Sequence, residues 1–516
     1  MSALGRAAYG ARPEDVADVM RRGWPAWVEE QLAPNEAADR GVHERLARLV
    51  LPFRHGAGPK WPAVDEKRPL ALLDRPIEAV WPLIVNRADM DGAERRRPRD
   101  EVTAATILRA VHSRWQLREV LANFWHDHFN VDAYGSEEVS VALPTYDRDV
   151  IRRHALGNFR QFLEAVATST AMLYYLSNRS SRAGAANENY ARELFELHTL
   201  GRDAYLNDRY DRWRAVPGAA KGAPVGYIDE DVYEAARAFT GWTVEDGSGI
   251  DGQRKLPATG RFVYVESWHD GYQKRVLAHD FKQFGAPLID GRRVLDFVAD
   301  HPATAQFVCT KLCRRFAGDD PPSAVVQAAV QIWTASRRAK DQIAQVVRTI
   351  LLSSDFAAAR NAKVRRPLAV VAAFARATGL DLMPAEPLWN EIGNAGQRLF
   401  GWPSPTGLPD ESEFFLSVNG MRHRWALVLA VAENAWGTGD LPVPPPVLQM
   451  PTPRMAAVQY LGALHGAVER PLLDHLLAGL GWPADQPLGD PMRPDVRKRF
   501  ARIAALAAMA PEFQAV

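Results

Sequence analysis

Helix-like spacing of apolar residues, bounded by helix-starting and helix-ending residues, recurs along nearly the whole chain and most restricts its fold. Pro13, Glu14 and Asp15, for example, occupy positions that suit the first turn of a helix, and Gly23 follows where that helix ends. A strand-like alternation occurs in the short stretch Arg261–Trp268. We therefore predict an all-α fold, a large bundle-like domain of many helices with a few short strands or hairpins.

One proline-rich stretch divides the chain. Residues 437–453, GTGDLPVPPPVLQMPTP, are typical of an extended, semi-rigid connector. They separate a main helical domain, residues 1–436, from the C-terminal helices of residues 454–516. Since that second piece is small for an independent core, we expect it to pack on the main domain.

Charge and hydropathy exclude several classes of protein. The chain has 63 basic and 62 acidic residues, so it has no overall attraction to nucleic acid. The densest basic run, Arg95–Arg99, is followed by Asp100 and Glu101, and we interpret it as a solvated turn. No stretch has the length and apolar character of a membrane span, and the N-terminus lacks an apolar signal region. These features predict a cytoplasmic protein without nucleic-acid or nucleotide-cofactor binding; export to the periplasm with a partner is the alternative.

The segment NENYARELFELHTLG, Asn187–Gly201, concentrates ionisable groups on one predicted helix. At ~100° per residue, Glu193 and Glu196 share a polar stripe, while His198 falls in the apolar arc. One interpretation is an amphipathic surface helix in which Arg192 bridges Glu188 and Glu196. The other is a buried carboxylate cluster, which His198 joins if the helix ends near Gly201.

Two further segments carry histidines. In LREVLANFWHDHFNV, His128 falls on the buried stripe of a predicted helix, and His126 points ~200° away from it. On a helix the two cannot share a ligand, whereas in an extended segment they can. His269 and Asp270 stand in a glycine-containing turn, either as an Asx turn or as a base with its orienting carboxylate.

Together these segments resemble a known family. In order along nearly the whole chain, FWHDHFNV, NENYARELFELHTLG, GYIDEDVYEAARAFTGW, HPATAQFVCTKLCRRFAGDDPP and GQRLFGWPSPTGLPD resemble the bacterial family called domain of unknown function 1800. The resemblance implies one mostly helical unit, often encoded beside a sulfatase-like protein of family 1501, which we expect as a partner. It implies no settled activity. The family's recurrent polar positions correspond here to His126, His128, Asn187, Glu188, Asn189, Arg192, Glu193, Glu196, His198, His269, Asp270 and Lys274.

Residues 202–226 differ from the family's shortest members, because the segment is longer than the loop we associate with them. It follows the Asn187–Gly201 helix directly and carries Tyr205, Tyr210 and Trp213. We therefore interpret it as a lid-like insertion.

Three functions fit these patterns. The first is a metal-dependent hydrolase or oxidoreductase, because imidazole and carboxylate groups suit Zn, Fe, Mn or Cu. Its predicted metal ligands are His126, His128, Glu193, Glu196, His198, His269 and Asp270. Its predicted catalytic residues are Glu188, Asn189, Arg192, Glu193, Glu196 and Lys274. The second is a non-catalytic accessory protein with a structural ion-pair network. The third is a metal-free glycan hydrolase that uses Glu193 and Glu196 as acid and base.

Overall fold

The computed structural model describes residues 2–360, 363–449 and 452–516. Helices dominate it, which confirms the predicted mainly α class. In the first third of the chain the helices are α1 (Ser2–Ala7), α2 (Pro13–Arg22), α3 (Trp24–Leu32), α4 (Arg40–Arg48), α5 (Ile77–Val80), α6 (Pro82–Val85), α7 (Gly92–His112), α8 (Gln116–His128), α9 (Glu137–Thr145), α10 (Phe159–Ala167) and α11 (Thr170–Tyr175).

The remaining helices cover the middle and the end of the chain. Those of the middle are α12 (Glu188–Glu193), α13 (Asp229–Ala238), α14 (Ile289–Asp300), α15 (Pro302–Ala317), α16 (Ser323–Ala335), α17 (Gln342–Leu351), α18 (Ser354–Ala358), α19 (Pro367–Thr378) and α20 (Glu386–Asn394). Those of the end are α21 (Val418–Ala432), α22 (Pro445–Gln449), α23 (Pro453–His465), α24 (Arg470–Leu480), α25 (Pro494–Met509) and α26 (Pro511–Gln514). None of the helices in the described ranges is long and apolar enough to cross a membrane.

The strands form short antiparallel hairpins rather than a continuous sheet. The pairs are β1 (Val50–His55) with β2 (Val64–Pro69), β3 (Trp242–Asp246) with β4 (Ala258–Tyr264), and β5 (Lys274–Val276) with β6 (His279–Phe281). The strand predicted at Arg261–Trp268 lies partly in β4, which ends at Tyr264 because Glu266–Trp268 forms a 3₁₀ turn.

The basic run Arg95–Arg99 is not a solvated turn, so that interpretation was wrong. It lies inside α7, where Arg95 pairs with Glu137 at 2.7 Å. The Arg99 guanidinium lies 3.8 Å from the centre of the Tyr134 ring. The aliphatic parts of the Arg95 and Arg99 side chains pack against α9 and its neighbours. Packing therefore decides the structure of this run, although its charge pattern is typical of a solvated turn.

One continuous apolar core joins both sides of the proline-rich stretch. Leu441 and Val447, within that stretch, belong to the same core as Leu461 of α23 and Val371 of α19. The stretch is not extended throughout, since it contains α22, and Met450 and Pro451 lie outside the described residues. The C-terminal helices thus pack on the helices that precede the connector.

Candidate functional site

A cavity of about 470 Å³ opens to the surface where distant segments of the chain meet. Its walls come from α8, from the end of the Asn187–Gly201 segment, from α15 and from the loop of residues 402–411. The lining side chains are Phe124, Asp127, His128, Glu196, Leu197, Arg202, Phe307, Lys311, Arg314, Arg366, Thr406, Leu408, Pro409, Asp410 and Glu411. Two of the predicted site residues, His128 and Glu196, therefore line this cavity.

The Asn187–Gly201 segment changes its helical type halfway. It runs as α12 to Glu193 and then forms a π-helical turn, Leu194–His198. Gly201 ends it with a φ of 87°, and a Cβ at that position would lie 2.7 Å from the Phe307 ring of α15. Only glycine therefore lets α15 approach so closely. The wider turn leaves Glu196 at the cavity while His198 enters the core, and such turns are frequent at functional sites.

The carboxylates of this segment do not form a buried cluster. Glu193 and Glu196 are both only partly buried, and Asn189 is exposed. Glu196 pairs with Arg202 at 2.7 Å. Burial, and then the charge of Glu196, raises the pKa of Glu193 above its ordinary value.

Arg192 makes one of its two predicted contacts. It lies 3.7 Å from Glu188, as the surface-helix interpretation predicts, but its second partner is Asp229 of α13 at 3.2 Å rather than Glu196. The reason is that α12 packs on α13, which brings Asp229 within reach. Arg192 therefore ties the two helices together beside the cavity.

His128 and Lys311 form the most unusual polar contact of the cavity. His128 Nε2 lies 3.1 Å from the main-chain oxygen of His198, and Lys311 Nζ lies 3.1 Å from His128 Nδ1. A carbonyl oxygen only accepts, so Nε2 must carry the hydrogen and Nδ1 must be the acceptor that faces the lysine. This assigns one tautomer of a neutral imidazole.

The charge states of this pair follow from burial. Burial, and then the charge of Lys311, holds the pKa of His128 well below its usual range. Burial also lowers the pKa of Lys311 to about 8, although the carboxylates of Asp127, Asp410 and Glu411 oppose the change. The cavity thus holds a lysine that exchanges its proton near neutral pH beside an imidazole that stays uncharged.

His198 lies just behind this pair. Its side chain is buried against the Phe129 ring, with 5.2 Å between the ring centres, and neither ring nitrogen has a hydrogen-bond partner among the described residues. Burial, and then the charge of Lys311, lowers the pKa of His198 to about 3. The carbonyl of His198 therefore binds His128 at the cavity, and its uncharged ring packs in the core.

A buried ion cluster forms the floor of the cavity. Arg366, at the start of α19, contacts Asp127 of α8 and lies 2.9 Å from Asp410. Asp410 is also 2.9 Å from Lys363 and 3.7 Å from Arg315. These cations hold the pKa of the partly buried Asp410 carboxyl well below its ordinary value. The cluster fixes α8, α15 and α19 to the loop of residues 402–411.

The loop of residues 402–411 is held against α8 by two local features. The Asn130 side chain donates to the main-chain oxygens of Trp402 and Ser404, at 2.9 and 2.8 Å. Gly407 has a φ of 73°, and a Cβ there would overlap the Asp127 carbonyl. Glycine is therefore required where the loop crosses the end of α8.

His126 points away from the cavity, as its spacing from His128 on a helix predicts. Its Nε2 lies 2.9 Å from Asp147, and its ring packs against that of Phe400. Asp147 is also 3.7 Å from Arg109. His126 thus belongs to a separate buried ion-pair network on the other side of α8.

His269, Asp270 and Lys274 lie in a third place. The His269 ring faces the Thr240 carbonyl and Asp290, at 2.9 and 3.3 Å. Asp270 pairs with Arg237 at 2.7 Å. The fully buried Lys274 amine donates to Asp290 at 2.7 Å, to Tyr272 O at 2.9 Å and to Asp270 O. All the donors of Lys274 are engaged, so this cluster ties β5 to α14.

The predicted metal ligands are consequently distributed over separate regions. In the described residues, no three histidine, cysteine, aspartate or glutamate side chains converge as a metal site requires. Both ring nitrogens of His128 face protein groups, and the partners of His126, His269 and Asp270 are likewise protein atoms. The donor set as predicted does not fit one ion, and metal binding stays a prediction.

Residues 202–226 contribute little to the cavity. Arg202 lines it, whereas Val216 and Ala219 pack in a small separate cluster with Ile228. Trp213 lies under the Arg275 guanidinium of β5, at 4.0 Å. The predicted lid therefore packs away from the cavity, with Trp213 against the β5–β6 hairpin.

Sequence reasoning missed Lys311, Arg366 and Asp410. A signal was available for Lys311, because Phe307, Lys311 and Arg314 follow i, i+4, i+7 spacing and share one face of α15. No local pattern identifies Arg366, since its partner Asp127 stands 239 residues away in the chain.

We expect His198 to make the protein acid-sensitive. Its pKa is about 3 in the folded state and near 6.5 in the unfolded chain, so between these values the unfolded state binds the extra proton. The contribution of His198 to the free energy of unfolding is therefore fully present above pH 6.5. It falls as the pH drops, by up to about 1.4 kcal/mol per pH unit. In urea unfolding from pH 7 to pH 4, His198→Gln should flatten that slope, and His43→Gln, at an exposed position, should not. An unchanged slope in His198→Gln contradicts the assignment.

Comparison with known proteins adds one match. The family described as "Protein of unknown function (DUF1800)" matches residues 2–515, as the resemblance predicted. No curated protein and no solved structure matches the chain.

Proposed function

The chain belongs to the DUF1800 family, whose description assigns no activity, and from the cavity we propose an enzyme that acts by proton transfer at Lys311, whose amine His128 positions. The observation that carries the proposal is the 3.1 Å contact between Lys311 Nζ and His128 Nδ1 at the cavity wall. Catalytic groups are most effective when their pKa lies near the working pH, and a pKa of about 8 meets that condition for Lys311.

The neighbouring groups support distinct roles for the two residues. The His198 carbonyl orients the His128 ring so that its bare nitrogen faces the amine. His128 Nδ1 accepts a hydrogen bond from the Lys311 amine, and the carboxylates of the floor are already neutralised by Arg366 and Lys363. Lys311 therefore acts as the group that meets the substrate and exchanges a proton with it, and His128 as the group that positions the amine.

The size and the lining of the cavity favour a small substrate. A volume of about 470 Å³ is in the range of small-molecule sites. Phe124, Phe307 and Leu408 supply apolar walls, and Arg314 places a cation at the mouth. A small molecule with an apolar body and a negative group suits this lining.

The proposal is tested by substrate consumption. Wild-type protein is incubated with a whole-cell metabolite extract, and compounds that disappear are identified by mass spectrometry. We expect Lys311→Met to slow consumption by roughly 10²–10⁴-fold, the usual contribution of a general acid–base residue. Lys340→Met, at an exposed position, is the matched control and should leave the rate unchanged.

Other outcomes favour the other hypotheses. A compound consumed equally by Lys311→Met contradicts the proposal. Loss of activity in Glu193→Gln but not in Lys311→Met favours the Glu193/Glu196 acid–base pair. A stoichiometric transition metal in the purified protein, absent from His128→Asn, favours metal-dependent chemistry. The cytoplasmic location and the sulfatase-like partner stay predictions, which cell fractionation and co-purification test.

A further inference from the structure

Building on the proposed function, we propose that Lys311 forms an imine with the keto group of a 2-oxo acid bound in the cavity. The amine lies on the cavity wall, 3.1 Å from the imidazole nitrogen that accepts its hydrogen bond. Lysines that form imines are activated by desolvation in an apolar pocket. The Phe307 ring centre lies 5.4 Å from Lys311 Nζ, so the position of Lys311 meets this condition.

The chemical step balances without another reactant. The Nζ lone pair attacks the keto carbon, so that the C–N bond forms and the C=O π bond breaks. One nitrogen proton passes to the keto oxygen, which becomes the hydroxyl of a carbinolamine. The second nitrogen proton passes to that hydroxyl, the C–O bond breaks, water leaves and the C=N bond forms. Nothing is oxidised or reduced. His128 positions the nitrogen, because its Nδ1 accepts a hydrogen bond from the amine while the His198 carbonyl holds its Nε2 hydrogen.

The carboxylate of the substrate has a cation available. Arg314 lines the cavity three residues after Lys311, which places both side chains on one face of α15. Within the described part of the chain Arg314 has no ion-pair partner, whereas Arg366 is committed to Asp127 and Asp410. A guanidinium binds a carboxylate in a bidentate manner. The amine and the guanidinium therefore lie on one helix face at the same cavity, where the amine meets the keto group and the guanidinium the carboxylate beside it.

The amine also has a chemical advantage over surface lysines. With a pKa of about 8, about a tenth of Lys311 is uncharged at pH 7, far more than for an ordinary lysine. A limiting amount of an amine-reactive reagent at neutral pH should therefore modify Lys311 before the surface lysines.

Reductive trapping tests the inference on the full-length protein. The protein is incubated with pyruvate and sodium cyanoborohydride at pH 7, and carboxyethyl-lysine is located by peptide mass spectrometry. We expect labelling at Lys311 to exceed that at the exposed Lys340 by roughly tenfold or more, because the pKa of Lys311 is lowered. Lys311→Arg should abolish the site-selective label, and Lys340→Arg should leave it. Arg314→Gln should reduce labelling by pyruvate but not by the uncharged ketone dihydroxyacetone.

The outcomes separate this inference from the proposed function. Competitive acetylation with acetic anhydride measures the pKa of Lys311 independently of any carbonyl compound. A lowered pKa with no selective pyruvate label overturns the imine and leaves proton transfer standing. An ordinary pKa overturns both. Equal loss of both carbonyl labels in Arg314→Gln overturns the carboxylate assignment, and thermal melting of each variant identifies any loss of label that comes from unfolding.

Discussion

Replacing Arg366 by methionine is expected to lower the free energy of unfolding by about 3–5 kcal/mol, the usual cost of removing one partner from a buried ion pair. The guanidinium is only 5% exposed and serves both Asp127 and Asp410. Without it, among the described residues, the largely buried Asp127 has no ion-pair partner and Asp410 keeps Lys363 and Arg315 alone. Desolvation of the remaining carboxylates, rather than loss of attraction alone, makes this effect large.

Urea unfolding at pH 7 measures this change. The matched control is Arg202→Gln, which breaks the more exposed pair with Glu196 and should cost less than about 1 kcal/mol. Arg366→Met combined with Asp127→Asn should recover part of the loss, because the uncompensated charge is removed. If Arg366→Met lowers the free energy of unfolding no more than Arg202→Gln does, the ion cluster does not stabilise the cavity floor.

Replacing Lys274 by methionine is the second large effect, again about 3–5 kcal/mol. The Lys274 side chain is fully buried, and its amine is saturated by Asp290 and the carbonyls of Asp270 and Tyr272. Removing it leaves the buried Asp290, among the described residues, with the more distant His269 at 3.3 Å as its one side-chain partner. If Lys274 were catalytic, the variant would instead keep its stability and lose turnover. This variant therefore decides between the predicted catalytic role and a structural one.

A double-mutant cycle gives the sharper test. Asp290→Asn alone should also destabilise the protein, and the double variant Lys274→Met/Asp290→Asn should cost clearly less than the sum of the single changes, because neither charge is then left alone. Lys282→Met, at the exposed position just after β6, should stay within about 0.5 kcal/mol of wild type. Additive costs would contradict a coupled pair.

Part of the candidate site follows from local pattern alone. The opposed directions of His126 and His128, the burial of His128 and the end of the helical segment at Gly201 all follow from helix geometry, and the structure agrees. The pairing of Arg192 with Glu188 is also local, since the two residues are one turn apart. Its pairing with Asp229 is not, because it depends on how α12 packs on α13.

The seven predicted metal ligands show where such reasoning stops. Each residue type was suited to a metal, and each segment belonged to the family pattern, yet α8 directs His126 and His128 to opposite sides, and His269 lies with Asp290 beside another hairpin. The sequence specifies which chemical groups are present. The distance between two side chains far apart in the chain depends on the packing of the helices that carry them.

The amino-acid sequence by itself determined the mainly α class, the family and the faces of individual helices, because apolar spacing, capping residues and glycine positions act over a few residues. Only the tertiary structure decided that Lys311 meets His128, 183 residues away, and that Arg366 closes the floor with Asp127 and Asp410. It also decided the charge states, since the lowered pKa of Lys311 depends first on burial that no local pattern encodes. Proximity and desolvation are properties of the packed chain, and the chemistry proposed for the cavity depends on both.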